Sequence, residues 1–132
     1  MHELELAWAA GFFDGEGSTN ISKTRTGWYL RISIIQNDRE VLDRFHKALA
    51  GLGKVTGPNQ YSYNKNPWYS YSLTGSKAHE ALNLLFPYLS SVKREQALAV
   101  IKKIRENAPG VYARSAEKRV DEANEFLGRW EL

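Results

Sequence analysis

The 132-residue chain is 42% hydrophobic and 25% charged, the balance of one soluble globular domain with a real core. It has no cysteine, which excludes a disulfide framework or a thiolate metal site. No apolar run long enough to span a bilayer occurs and no secretory signal pattern opens the chain; together these fit an intracellular protein without a membrane partner. A net charge of +3 and a pI near 9.2 permit a polyanionic partner without demanding one, and the scattered His2, His46 and His79 suit surface or packing roles better than a zinc site.

Residues 4–16 read as a first helix. Leu6, Ala9, Ala10 and Phe13 form one apolar stripe, widened by Trp8 and Phe12. Ala7, Gly11 and Gly15 fall four apart on another stripe, whose small residues would let a second backbone come close. Residues 18–26 and 28–35 read as two strands of a hairpin connected at Thr26-Gly27. Leu30, Ile32 and Ile34 alternate with Tyr29, Arg31 and Ser33. Asn20, Ser22 and Thr24 share a face of the first strand, so one face of the hairpin is apolar and the other is rich in hydrogen-bonding groups.

Asn37 and Glu40 have capping-box spacing ahead of a helix carrying Val41, Leu42, Phe45, Ala48, Leu49 and Leu52 and ended by Gly51 and Gly53. A second hairpin is expected with strands near 54–61 and 67–74, joined by the turn-rich Tyr63-Asn64-Lys65-Asn66-Pro67. There Tyr69, Tyr71 and Leu73 alternate with Trp68, Ser70 and Ser72. Ser76 is positioned to cap a short helix closed by Pro87, and Ser91 to cap another that runs to about Asn107, where Ala108-Pro109-Gly110 breaks it. A last helix is expected from about Ser115 to Arg129. The order α-β-β-α-β-β-α-α plus a final helix predicts an α+β domain: one four-stranded antiparallel sheet, helices on its apolar face, and a polar, wet opposite face.

The run Ala9-Ala10-Gly11-Phe12-Phe13-Asp14-Gly15-Glu16-Gly17 resembles the LAGLIDADG motif of homing endonucleases. Asp14-Gly15-Glu16-Gly17 stands for its Asp-Ala-Asp-Gly, and Phe12-Phe13 for its Leu-Ile. Leu49-Ala50-Gly51-Leu52 repeats some of the letters, but Gly53-Lys54-Val55 follows without a carboxylate. The resemblance extends to element order over about residues 4–107. It implies the LAGLIDADG homing-endonuclease fold, an αββαββα core with a saddle-shaped sheet, here within a single domain of residues 1–132 with an added C-terminal helix.

The resemblance further implies a site-specific endonuclease acting on double-stranded DNA with Mg²⁺, for which Mn²⁺ can substitute. Glu16 would be the metal-ligating carboxylate, with the Gly15 carbonyl as backbone ligand. Gln36 would help order the attacking water and Lys93 would stabilise phosphate charge. Arg39 and Glu40 stand where the family often has a basic residue. Asp14 lies two residues from Glu16, about 200° round the helix, which suits a structural role. A single motif implies a homodimer crossing at Ala7, Gly11 and Gly15, and hence a pseudo-palindromic target. The polar sheet face would lie in the major groove, presenting Asn20, Ser22, Thr24, Tyr29, Arg31 and Ser33 from the first hairpin. The second would present Lys54, Thr56, Gln60, Trp68, Ser70 and Ser72. Lys23, Arg25 and Lys65, near the hairpin tips, suit phosphate contacts. A non-cleaving DNA- or intron-RNA-binding module of the same fold, a maturase or regulator, is the alternative.

Overall fold

A computed structural model of the chain describes residues 2–60, 66–107 and 113–131. Helix α1 (His2–Glu16) leads directly into strand β1 (Gly17–Thr24), and β2 (Gly27–Gln36) returns beside it. Then come α2 (Arg39–Ala48), β3 (Lys54–Asn59), β4 (Trp68–Thr74) and α3 (Ser76–Leu85). A 3-10 turn (Phe86–Tyr88), α4 (Ser91–Asn107) and α5 (Ala113–Trp130) complete the order. The strands form one antiparallel sheet in the order β1-β2-β4-β3, so the α+β architecture expected from the sequence is the one found.

The period-2 pattern fixes which side of the sheet is covered. Leu30, Ile32 and Ile34 of β2 and Tyr71 and Leu73 of β4 are buried together with Leu6 and Phe13 of α1 and Phe45 of α2. Phe45 stands edge-on to Tyr71, ring centroids 4.9 Å apart. The Tyr71 hydroxyl donates to the Leu52 carbonyl at 2.6 Å, and burial pushes its ionisation well above the ordinary phenol range. At the far end of the helix layer Phe126 of α5 packs edge-on to Phe86, and Trp130 Nε1 donates to Asn83 Oδ1 at 2.7 Å.

Several element ends differ from those the sequence suggests, each for a local reason. Asp38, not Asn37, caps α2: its carboxylate accepts from Glu40 N at 2.9 Å. Gly75 stands at the cap position of α3, so Ser76 is the first helical residue rather than the cap. At α4 it is Ser90 whose hydroxyl accepts from Lys93 N (3.4 Å), not that of Ser91. Helix α2 stops at Ala48, short of Leu52. There Gly51 N donates to His46 O and Ala50 N to Lys47 O, a Schellman termination with Ala50 as the left-handed residue. The Tyr63–Lys65 part of the second connection and the break at Ala108-Pro109-Gly110 lie outside the described residues.

β3 departs most instructively. Its register with β4 shifts between Thr56 and Asn59, a bulge built on Gly57 at φ +124° and Pro58, both tolerable on an edge strand. The extra residue reverses the alternation beyond it. Asn59 therefore stands opposite Trp68, and Gln60 falls after the strand's end.

Ala50 holds φ at +56°, where a Cβ is unfavourable and glycine is the usual occupant. Ala50→Gly is expected to raise unfolding free energy by about 1 kcal/mol, measured by urea denaturation with an unchanged slope. A loss of stability would show that the left-handed cap is not strained.

Candidate active site and nucleic-acid interface

α1 ends at Glu16 and β1 begins at Gly17, with no loop between. Gly17 already pairs with Ile34, so the last helical carboxylate is held at the end of the sheet. Gln36, the last residue of β2, shares the pleat of Ile32 and Ile34 and so points to the helix side. Its Nε2 donates to Glu16 Oε2 at 3.0 Å. Lys93, in the first turn of α4, donates from Nζ to the Gly17 carbonyl at 2.7 Å and lies 5.8 Å over the Phe13 ring. The three side chains singled out for chemistry, separated by up to 77 positions in sequence, thus converge on one helix–strand junction. Glu16 is exposed, and Gln36 and Lys93 are half-buried.

Asp14 points elsewhere. Its carboxylate accepts from the Ser90 N–H, at 3.1 and 3.2 Å, and ties α1 to the start of α4, where the helix dipole favours a negative charge. Arg39 pairs with Asp43 at 3.5 Å and lies 6.0 Å over the Tyr69 ring, whose backbone faces Gln36 across the sheet. It therefore flanks the junction. Among the described residues no group of three His, Cys, Asp or Glu comes together in one chain. Of the three side chains, the Glu16 carboxylate and the Gln36 amide oxygen could bind a cation, and oxygen donors of this kind suit a hard divalent ion that keeps much of its water.

On the outer side of α1, Ala7, Gly11 and Gly15 are exposed, with Leu4 (65% exposed) at the head of the same stripe. Among the described residues, a Cβ at Gly11 or Gly15 would meet nothing within 4 Å. Packing within the chain therefore does not require either glycine, although each costs a helix about 1 kcal/mol relative to alanine. Gly17 is the opposite case: a Cβ there would overlap the Phe13 ring.

The polar face of the sheet is ordered in rows. Ser18, Ser33, Ser72 and Lys54 lie side by side across all four strands; Asn20, Arg31 and Thr74 form the next row. Toward the other end, Ile35, Ser70 and Thr56 make a third, followed by Trp68 and Asn59. Asn20 Nδ2 donates to Ser18 Oγ (3.0 Å), so the amide is held in place on the face. Ser22 pairs with Tyr29 nearer the hairpin tip. There the hydroxyls of Thr24 and Tyr29 engage the turn itself: Thr24 Oγ1 donates to Gly27 O at 2.9 Å, and the Tyr29 hydroxyl lies 2.9 Å from Thr26 Oγ1. Lys23, by its pairing with Trp28, belongs to the opposite face and lies 4.3 Å over that ring. At the β3 edge a cavity of about 350 Å³ is lined by Lys54, Thr56, Ser72, Thr74 and Lys77.

Sequence reasoning passed over Ser18, Ile35, Asn59, Thr74 and Lys77 on or beside this face. Continuing each strand's alternation by one step finds Ser18, Ile35 and Thr74. Asn59 is hidden by the bulge, and Lys77 lies on a helix. A further signal was available: residues 17–36 and 54–74 contain no Asp or Glu, so all 15 acidic residues lie outside the two hairpins.

The family model for the LAGLIDADG-like domain matches residues 3–105. The chain belongs to this family. No curated protein is significantly similar to it in sequence. Among solved structures, the LAGLIDADG-like domain is similar to the homing endonuclease I-CvuI in complex with its target. The TM-score is 0.62 and the identity 22%, over 98% of this chain and 96% of that one. It is similar also to the archaeal intron-encoded homing endonuclease I-Vdi141I complexed with DNA (TM-score 0.58, 17% identity, 99% of each chain). The LAGLIDADG homing endonuclease I-SmaMI bound to cleaved DNA matches at TM-score 0.54 and 20% identity over 96% of this chain but 48% of its own. At these identities the likeness establishes the fold.

Gly17→Ala is expected to destabilise the LAGLIDADG-like domain by about 1–3 kcal/mol through overpacking against Phe13, read as a lowered Tm. An unchanged Tm would mean that the Phe13 ring moves aside freely and the junction is looser than its packing indicates.

Proposed function

We propose that the chain is a site-specific double-strand DNA endonuclease of the homing type, working as a homodimer whose two Glu16 carboxylates meet at one shared active site. The observation that carries this reading is the junction itself. Glu16, held by Gln36 and neighboured by Lys93 on the Gly17 carbonyl, lies at the end of a helix whose Ala7, Gly11 and Gly15 face is bare. A second copy of α1 crossing at those residues would bring its own Glu16 alongside and so pair two carboxylates where one chain supplies one.

Mg²⁺, with Mn²⁺ as substitute, would be held by Glu16 and the Gly15 carbonyl of each copy and supply an activated water and neutralisation of phosphate charge. The fold's relative I-CvuI was crystallised with Ca and with Mg, which supports divalent metal use. Gln36 can orient the attacking water through its amide while bonded to Glu16. Lys93, with its ammonium fixed on the Gly17 carbonyl, is placed to stabilise charge on the scissile phosphate.

The polar face supports the binding half of the proposal. It carries Arg31 and Lys54 with no opposing acid, and amides and hydroxyls suited to base edges in a major groove. Asn20, Ser22, Arg31 and Ser33 read from the first hairpin. Lys54, Thr56, Asn59, Trp68, Ser70 and Ser72 read from the second, with Gln60 at its margin. The cavity between Lys54 and Lys77 fits a backbone phosphate. A two-fold dimer then calls for a pseudo-palindromic duplex.

Two outcomes test this. The protein, presented with a library of pseudo-palindromic duplexes and Mg²⁺, should cut both strands of a selected sequence. Glu16→Gln should reduce cutting by at least about a thousandfold while leaving affinity for the uncut duplex within a few-fold. Binding without nicking in either metal would leave a recognition module of the same fold, and cutting that survives Glu16→Gln would remove Glu16 from the chemistry. Separately, Gly11→Leu should leave the monomer folded, since the position is exposed and a Cβ there meets nothing within 4 Å among the described residues, but abolish the dimer in sedimentation. A Gly11→Leu protein that stays dimeric would place the interface elsewhere.

A further inference from the structure

α5 lies beyond the residues matched by the family model, and it carries a charged side chain that the proposed chemistry does not use. Arg119 is 4% exposed. Burying a guanidinium is costly unless specific partners receive it, so its surroundings identify what it holds. The guanidinium carbon lies 5.0 Å from the centre of the Tyr29 ring, and Nη1 donates to the Tyr29 hydroxyl at 3.4 Å. The same group packs onto Gly27, where a Cβ would overlap it. From Tyr29 the contacts run on through the turn. Its hydroxyl meets Thr26 Oγ1 at 2.9 Å, Thr26 Oγ1 meets Thr24 Oγ1 at 3.1 Å, and Thr24 Oγ1 donates to Gly27 O.

We propose that Arg119 is a positioning residue: it locks the tip of the β1–β2 hairpin to α5 and thereby sets sequence discrimination at the DNA positions that this hairpin faces. The discrimination half rests on the DNA reading proposed above; the lock does not. β1 is an edge strand, paired on one side only, so the free end of its hairpin has no neighbour in the sheet to hold it. Base readout by hydrogen bonds demands side chains placed to within a fraction of an ångström. A hairpin tip free to swing would keep its attraction to phosphate through Lys23 and Arg25 while losing selectivity through Ser22 and, next to it on β1, Asn20. Arg119 reaches the DNA-facing positions through Tyr29 and acts through the turn.

The test uses the full chain with Arg119→Lys, which keeps the charge but loses the planar fork, and Tyr29→Phe, which removes only the hydroxyl. In the free protein, amide hydrogen exchange over residues 23–30 should speed up by about tenfold in Arg119→Lys and less in Tyr29→Phe, with residues 54–59 unchanged. Unchanged exchange at the first hairpin, or an equal rise throughout the molecule, overturns the lock whatever the protein binds. Should Arg119→Lys fail to fold, Tyr29→Phe decides alone by the same criterion. Selection from randomised duplexes then tests the second half, with Arg31→Ala and Ser72→Ala marking the footprints of the two hairpins. Preferences should relax only within the Arg31 footprint, and relaxation in both footprints or neither overturns it. Absence of any selection by the unsubstituted protein is the distinct signature that the DNA reading itself fails, and the discrimination half falls with it while the exchange result stands.

Discussion

The direct passage from helix to strand between Glu16 and Gly17 is the constraint on which the candidate site depends. A loop there would let the carboxylate wander. Instead the next residue is already paired with Ile34, and its missing side chain lets the backbone lie against the buried Phe13 ring. Lys93 holds the following peptide by donating to the Gly17 carbonyl, and Asp14 fastens α1 to the start of α4 one turn earlier. The position of Glu16 is thus a property of the core, transmitted through two residues. Gln36 can meet it only because β2 runs to the same end of the sheet.

The sheet divides two tasks by its pleat. Every second residue of β2 and β4 belongs to the apolar interior, and its neighbours belong to a face that contributes little to packing. That face carries amides, hydroxyls and a few cations, while the acidic residues are confined to helices, loops and termini. Charge is therefore uneven along the chain: residues 17–36 and 54–74 hold five Lys or Arg and no acid, while the rest holds 13 Lys or Arg and 15 acids, which together make the net +3.

Much of this was legible in the sequence because it rests on local periodicity. Alternation in 28–35 and 67–74 gave the buried and polar faces, and the four-residue spacing of Ala7, Gly11 and Gly15 gave the bare side of α1. Convergence of Glu16, Gln36 and Lys93 could be expected only from the family resemblance, since spacing alone says nothing about which ends of distant elements meet. Other features stayed hidden because competing local forces decide them. Asp38 and Ser90 cap their helices in preference to the equally plausible Asn37 and Ser91. The bulge at Gly57-Pro58 moves Asn59 onto the face in place of Gln60, against the simple alternation. Arg119 gave no sign of its burial: on a helix with a charged outer face, it looks like any surface arginine until the hairpin tip is folded against it.

The rows across the sheet also set a scale. Successive residues on one face of a strand stand about 6.7 Å apart, close to two base-pair steps of about 3.4 Å each. For a duplex lying along the strands, each row would fall opposite every second base pair, and the residues of one row, side by side on neighbouring strands, would share that step. The extra residue in β3 keeps Asn59 level with Trp68, so the edge strand stays on the common graduation.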